Sequence, residues 1–262
     1  MSKTRKALLT MLVLTLLMRP VEILLAAMLP DASVNPVPQC IAGMAVTLLL
    51  MGMPAWFLRP WTSVRLRQGK FLWTGMALAV CTALLTRAAM TPVDAAWQNW
   101  LGLSPEVLPA PDGLPGALLY LAALVIVPAA AEEAFFRGAV LTGLLDGSRR
   151  ATAALLTTTF FAFMHGSAAN MPSLLVISLM LTLLMLHTGR LAVPMTAHLV
   201  YNLTALNWVS LPGWGSILCG AGLIALMAYI CVRQPRVAHP PMKGLDGLIA
   251  AAAVGLMLVG LL

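Results

Sequence analysis

Residues 116–145 read GALLYLAALVIVPAAAEEAFFRGAVLTGLL, and only three of these thirty side chains are charged. A helix that crosses a bilayer needs about 20 consecutive, mainly apolar residues, so the segment is long enough to span a membrane. The three charged residues are Glu132, Glu133 and Arg137. Ionisable groups inside a membrane span are costly, and they mark a candidate functional site.

The whole chain has the composition of a helical membrane protein. Of its 262 residues, 60% are hydrophobic and 10% are charged, against about 25% charged in soluble domains. So few charges cannot cover a water-soluble surface, which excludes a soluble enzyme and a disordered or fibrous chain. We therefore predict an all-α, polytopic transmembrane bundle, with residues 1–262 forming one integral domain in the lipid bilayer.

The apolar runs predict eight to nine membrane helices. The first follows Lys3, Arg5 and Lys6 and ends at Leu29. The others are expected over 39–58, 71–91, 116–145, 151–166, 171–187, 191–209, 215–232 and 245–262, with 92–115 as the longest loop.

The basic residues are confined to alternate loops. If the N-terminus is inside, the outer loops 30–38, 92–115, 167–170 and 210–214 contain no Lys or Arg. This positive-inside pattern predicts a cytoplasmic N-terminus and argues against a nucleic-acid-binding stripe. The inner segments hold Lys3, Arg5, Lys6, Arg59, Arg65, Arg67, Lys70, Arg149, Arg150, Arg190, Arg233, Arg236 and Lys243.

Two further spans carry polar groups at a depth similar to that of Glu132. The span 151–166 contains His165, and the span 191–209 contains His198 and Asn202. With a rise of about 1.5 Å per residue, Glu132 and His165 lie roughly 20 Å above the inner ends of their helices. His198 and Asn202 lie roughly 11 and 17 Å above theirs. All four fall within about 10 Å of depth at the middle of the bilayer, so a shared cavity is geometrically allowed.

Helix geometry separates the two carboxylates. Glu133 and Arg137 are spaced i,i+4 and can form an ion pair. Glu132 points about 100° away and has no such partner in its own helix. We therefore predict that Glu132 acts as a general base and that His165 shares its water.

His198 and Asn202 are also spaced i,i+4 and can point at one place. An imidazole and an amide suit the oxyanion of an acyl-transfer intermediate. Taken singly, His198 could be a core hydrogen bonder, Asn202 could bond between helices, and Phe161 could be packing. Arg87, close to the predicted end of its span, is expected to snorkel outward.

The chain resembles the CPBP family, which comprises CAAX prenyl endopeptidases and bacteriocin-processing or immunity-related (Abi) membrane proteins. The resemblance rests on the ordered motifs E-E-x-x-x-R, F-x-x-x-H and H-x-x-x-N. Here they read EEAFFR over 132–137, FAFMH over 161–165 and HLVYN over 198–202. The resemblance covers residues 116–210, which would be the catalytic core helices.

This resemblance implies a CAAX-protease-like core and an intramembrane endopeptidase that cleaves near the C-terminus of a membrane-associated peptide or protein. The family's bacterial branch favours an inner-membrane protein and a sorting-signal or peptide-precursor substrate. The resemblance also implies roles for single residues. Water activation would fall to Glu132 and His165, oxyanion stabilisation to His198 and Asn202, and support of the site to Glu133, Arg137 and Phe161.

No cofactor is favoured, although zinc is an alternative. Glu132, His165 and His198 could hold zinc with one open position. The sequence lacks H-E-x-x-H, so metal-free hydrolysis is expected. Two other classes stay open: a transporter or proton relay, which also uses buried Glu and His, and a non-catalytic immunity protein. Inverted repeats would favour a transporter, and the sequence shows none.

Overall fold

The computed structural model describes residues 2–62, 72–104, 108–206, 211–234, 242 and 244–261. Within them the chain forms nine helices and no strand, which confirms the predicted all-α class. The helices are α1 (Lys3–Met28), α2 (37–62), α3 (Leu72–Leu101), α4 (Gly113–Leu145), α5 (Arg150–Met164), α6 (Met171–Thr188), α7 (Ala192–Leu206), α8 (Gly213–Arg233) and α9 (Gly244–Leu261). The predicted inner-loop residues Arg65, Arg67, Lys70, Arg236 and Lys243 lie outside the described residues, as does the side chain of Arg59.

Six segments of the described chain are long and apolar enough to cross a membrane: α1, most of α2, α3, α4, α8, and α6 with the short 3₁₀ turn before it. Helix α5 is shorter, with 15 residues. At about 1.5 Å per residue it is roughly 22 Å long, less than the bilayer core of about 30 Å. It ends at Met164, and Gly166 then takes a positive φ of 60° that turns the chain. His165 therefore lies at a helix end inside the bundle.

Polar contacts show which helix ends lie together. Lys3 Nζ lies 3.8 Å from Asp146 Oδ1, just past the end of α4. Arg5 Nε donates to Asp246 Oδ1, in the first turn of α9, over 2.8 Å. The start of α1, the end of α4 and the start of α9 therefore form one face of the bundle, which we call the N-terminal face. This arrangement agrees with helices that alternate in direction.

Helix α4 is not regular. Two wider π-helical turns, Ala122–Ile126 and Ala134–Val140, interrupt it. The first turn lies just before Pro128, whose ring nitrogen cannot donate to the carbonyl of Leu124. The second begins directly after Glu133. Such turns inside α-helices are frequent at functional sites, and here one of them follows the paired carboxylates.

Helix α3 is longer than the sequence predicts. Its span was expected to end at residue 91, with a loop over 92–115, but the helix continues through Pro92 to Leu101. One proline removes one backbone hydrogen bond, and tertiary contacts stabilise the extension beyond it. Trp97 Nε1 donates to the carbonyl of Ala168 over 2.9 Å, and Gln98 Nε2 donates to that of Ala169 over 3.1 Å. The predicted loop is therefore wrong over its first ten residues.

The apolar side chains pack in two clusters. One joins α1, α2, α4, α5, α9 and the last turn of α6 and includes Phe136 and Phe160. The other joins α3, α6, α7 and α8 and includes Ile177 and Val193. The buried polar groups of α4 bridge them, because Arg137 reaches from the first cluster to α6. The candidate site thus lies at the junction of the two halves of the core.

Candidate active site

Glu133 and Arg137 form a fully buried ion pair on α4. Arg137 Nη1 donates to Glu133 Oε1 over 2.6 Å, and neither side chain is exposed. Arg137 Nη2 donates to both the carbonyl and the hydroxyl oxygen of Ser178 on α6, over 2.9 and 2.8 Å. The guanidinium also lies 4.5 Å from the centre of the Phe161 ring on α5. The pair expected from the i,i+4 spacing is therefore present, and it connects three helices.

The same carboxylate of Glu133 also positions His198 on α7. His198 Nδ1 lies 3.0 Å from Glu133 Oε1. That carboxylate oxygen accepts from Arg137 and can only accept from the imidazole, so Nδ1 is the donor. The imidazole is thereby oriented with Nε2 towards Glu132. The sequence analysis assigned Glu133 only to Arg137 and missed this contact between helices.

Glu132 has a different environment from its neighbour. Its side chain is nearly buried, and Oε2 is buried without a hydrogen-bond partner among the described residues. That oxygen lies 3.5 Å from His165 Nε2 and 3.9 Å from His198 Nε2. Both distances are too long for a direct hydrogen bond but within the reach of one bridging water. The structure thus brings together the carboxylate and the two imidazoles.

The helix end of α5 orients His165. Its Nδ1 lies 2.7 Å from the carbonyl oxygen of Phe161, one turn earlier. A carbonyl only accepts, so Nδ1 carries the proton, and in the neutral imidazole Nε2 presents a lone pair towards Glu132. Two acceptors therefore face each other, and a water that donates a hydrogen bond to either of them fits the chemistry of the gap.

Phe161 packs between the site residues. Its ring centre is 4.5 Å from that of His165, 5.5 Å from that of His198 and 5.2 Å from that of Phe136. The ring is almost fully buried. Phe161 therefore holds both imidazoles in place by contact, which is the supporting position expected for it.

A cavity of about 400 Å³ borders the site. His165, His198 and Asn202 all line it, together with Phe161. Asn202 is partly exposed in this cavity, one turn along α7 from His198. Glu132 is not part of the wall, but its Oε2 contacts the two imidazoles that are. A substrate in the cavity would therefore meet the imidazoles and the amide first.

A second cavity, of about 750 Å³, shares His165 and Asn170 with the first. It is lined by the outer part of α1, by residues 103–104 after α3 and by residues 165–170 after α5. These segments lie in the C-terminal part of α1 or follow the ends of α3 and α5, so they lie away from the N-terminal face. The site is thus bordered by open space on the face opposite the N-terminus.

The expected outward position of Arg87 is wrong. Its Nη2 donates to the backbone carbonyl of Tyr201 over 3.1 Å, its guanidinium carbon lies 3.9 Å from the centre of the Tyr201 ring, and it lines the smaller cavity. The reason is the length of α3. Because the helix continues to Leu101, Arg87 lies at its middle, too far from either end to snorkel.

No metal-binding geometry is evident in the part of the chain that the structure describes. There, no group of three or more His, Cys, Asp and Glu side chains is arranged to hold a metal ion. His198 Nδ1 already bonds to Glu133, so only Nε2 of that imidazole could bind a metal ion. As placed, these residues do not form the three-ligand zinc set considered from the sequence.

Comparison with known proteins identifies the segment that carries these residues. Residues 114–204 match the family described as Type II CAAX prenyl endopeptidase Rce1-like, and all three motifs lie within the match. No curated protein and no solved structure matches the chain. The apolar helices and the family together make this an integral membrane protein. Over residues 114–204 the chain is therefore similar to the Rce1-like family of type II CAAX prenyl endopeptidases.

Proposed function

We propose that the protein is a metal-free intramembrane endopeptidase with Glu132 as its general base. The observation that supports this most strongly is the unpartnered, buried Oε2 of Glu132, 3.5 Å from His165 Nε2 and 3.9 Å from His198 Nε2. A carboxylate oxygen buried without a hydrogen-bond partner is destabilising, so a structural role does not explain it. Its position beside two cavity-lining imidazoles suits the activation of water.

The reaction begins with a water held between Glu132 and His165. Glu132 removes a proton as the water oxygen attacks the carbonyl carbon of the scissile peptide bond, and the electron pair of the carbonyl moves to its oxygen. Asn202 donates an amide N–H to this oxyanion. His198 donates an N–H from Nε2 as an imidazolium, with its Nδ1 bonded to Glu133.

The second half of the reaction returns the proton. Glu132 transfers it to the amide nitrogen, the carbon–nitrogen bond breaks, and the oxyanion reforms a carbonyl. The products are a new carboxylic acid and a new amine, and the base is regenerated. Because the donors are held by helices and by the Glu133–Arg137 pair, they need little reorganisation as the charge develops.

We propose a membrane-associated peptide or protein precursor as the substrate, cleaved near its C-terminus. The cavity wall combines apolar residues, Leu174 and Ile177 among them, with a few polar groups near the hydrolytic residues. Such a wall suits an apolar peptide segment held by a small number of hydrogen bonds. A sorting signal or peptide precursor in a bacterial inner membrane fits this description.

The charge distribution supports a cytoplasmic N-terminal face. Lys3, Arg5, Arg149, Arg150 and Arg190 all lie at helix ends or turns of that face. The positive-inside rule then places the larger cavity, which adjoins His165, on the external face. Substrate would enter from outside. A membrane-impermeant thiol reagent should label Ser104→Cys in intact cells if this orientation is correct, and labelling only after lysis would contradict it.

The experiment for the proposed activity uses the full chain in liposomes. The probe is a library of lipid-anchored peptides with varied C-terminal sequences, and mass spectrometry reads the released fragments. The unaltered chain should release C-terminal fragments, and the Glu132→Gln variant should release none while inserting normally. If the library stays intact and Glu132→Gln instead changes proton flux across the liposome membrane, the proton-relay alternative replaces the protease. Stoichiometric zinc in active protein would replace the metal-free mechanism.

A further inference from the structure

Arg87 is a cation in the middle of a membrane helix, beside the hydrolytic site. The described residues provide it with one hydrogen bond, to the carbonyl of Tyr201, and with the face of the Tyr201 ring. A guanidinium has five N–H donors, and Nε is among the buried atoms without a partner. Such a charge within a membrane span is costly unless something compensates it.

The nearest candidate counter-ion does not pair with it. Asp94 lies two turns further along α3, about 10 Å in axial rise. Its Oδ1 accepts from the backbone N–H of Ser173 over 3.1 Å. Among the described residues, no carboxylate lies within ion-pair distance of the Arg87 guanidinium. Among the described residues the guanidinium therefore has a polar anchor but no ion-pair partner.

The cavity beside Arg87 can admit an anion. Besides Arg87, its polar lining consists of Asn170, Ser173, Asn202, two histidines and two tyrosines, and it contains no Asp or Glu. Arg87 is only partly buried there. A ligand carboxylate in this space would meet a cation and neutral polar groups, with no acidic side chain on the wall to repel it.

We propose that Arg87 binds the free C-terminal carboxylate of the peptide substrate and thereby sets the position of the cut. A planar carboxylate can accept two parallel hydrogen bonds from a guanidinium, which fixes direction as well as position. The anchor Tyr201 follows His198 by three residues on α7, about 4.5 Å in axial rise. A carboxylate held there lies within a few extended residues, each about 3.3–3.6 Å long, of the hydrolytic groups.

The position of the cut rests on the proposed function, whereas the carboxylate site itself requires only that the cavity admits a peptide. The enzyme would then cleave its substrate at a fixed distance from the substrate's C-terminal carboxylate. The released fragments should therefore have one fixed length whatever their sequence. A site that recognised only the side chains of the substrate would release fragments of varied length.

The test uses two pools of lipid-anchored peptides that differ in one group. One pool ends in a free carboxylate and the other in a carboxamide. Binding is measured on full-length Glu132→Gln protein in liposomes, so that no peptide is consumed, and cleavage is measured on the unaltered chain. The acid pool should bind on the order of 10- to 100-fold better, as loss of a charge-assisted hydrogen bond implies. Added to Glu132→Gln, Arg87→Gln should remove this preference, and Arg87→Lys should keep part of it.

A matched arginine provides the control. Arg233 lies 5.7 Å from the Tyr229 ring at the far end of α8, away from the cavity. Arg233→Gln should leave the acid preference unchanged. If the two pools bind equally well to Glu132→Gln protein, the assignment is overturned before Arg87 is substituted. A site for lipid phosphate would give that result. So does an acid preference that survives Arg87→Gln in protein with a normal unfolding temperature.

The outcomes separate this assignment from the proposed function. If acid peptides bind through Arg87 but neither pool is cleaved, the carboxylate site stands and the protease proposal fails. If both pools are cleaved at equal rates and Glu132→Gln abolishes both cleavages, the protease stands and the carboxylate site fails.

Discussion

Replacing Glu132 by Gln should abolish activity without unfolding the protein. The amide has the shape of the carboxylate but cannot take up the proton of the attacking water. Loss of a general base lowers a rate roughly 10²- to 10⁴-fold, which corresponds to about 3–5 kcal/mol of barrier. The substitution breaks no hydrogen bond of the described structure, because Oε2 has no partner. The free energy of unfolding should change by less than about 1 kcal/mol.

The neighbouring carboxylate gives the opposite pattern and serves as the comparison. Glu133 Oε1 contacts both Arg137 and His198. Glu133→Gln leaves a buried guanidinium without its counter-ion, which should lower the free energy of unfolding by about 3–5 kcal/mol. Asp146→Asn is the neutral control, because its pair with Lys3 is largely exposed and such pairs contribute at most about 1 kcal/mol.

The assay measures peptide release by liposome-reconstituted protein and thermal unfolding of the same preparations. Glu132→Gln should lose cleavage at an unchanged unfolding temperature, while Glu133→Gln should lose stability. If Glu132→Gln keeps more than a third of the cleavage rate, Glu132 is not the base. If Glu132→Gln unfolds as readily as Glu133→Gln, the carboxylate of Glu132 has a structural role.

Three further changes test other parts of the site. Ser178→Ala removes one of two oxygens that accept from Arg137 Nη2, and it should lower the free energy of unfolding by about 1–3 kcal/mol in a denaturant titration; no loss would mean that the backbone carbonyl suffices. His198→Asn can keep a donor for Glu133 but removes Nε2, so cleavage should fall roughly 10²- to 10³-fold with little loss of stability; an unchanged rate would remove His198 from the oxyanion site. A strong chelator should leave cleavage by the purified protein unchanged, whereas loss of activity that zinc restores would contradict the metal-free reaction.

The sequence predicted the membrane helices and the residues of the site because both depend on local spacing. The i,i+4 relations on α4 and α7 determine which side chains share a face, and apolar run lengths determine the spans. The observed distances from Glu132 to the two imidazoles are 3.5 and 3.9 Å, so these residues lie together. Their catalytic roles stay predictions.

The parts that sequence reasoning missed depend on contacts between distant segments. The third span was predicted to end at residue 91, but Trp97 and Gln98 bond to the 168–170 turn and stabilise the continuation of the helix. That one error moved Arg87 from the middle of a helix to its end. Ser178 was missed because the position of a serine in an apolar helix does not indicate, from spacing alone, which residue it contacts. Its role appears only when Arg137 reaches it from another helix.

The most direct measurement is an experimental density map of the protein in lipid, detailed enough to show ordered water at the site. The account predicts a single water within about 3.2 Å of both Glu132 Oε2 and His165 Nε2, with Glu132 facing the cavity side of α4. A metal ion coordinated by Glu132 and the imidazoles, or a Glu132 side chain that faces the lipid, would contradict it.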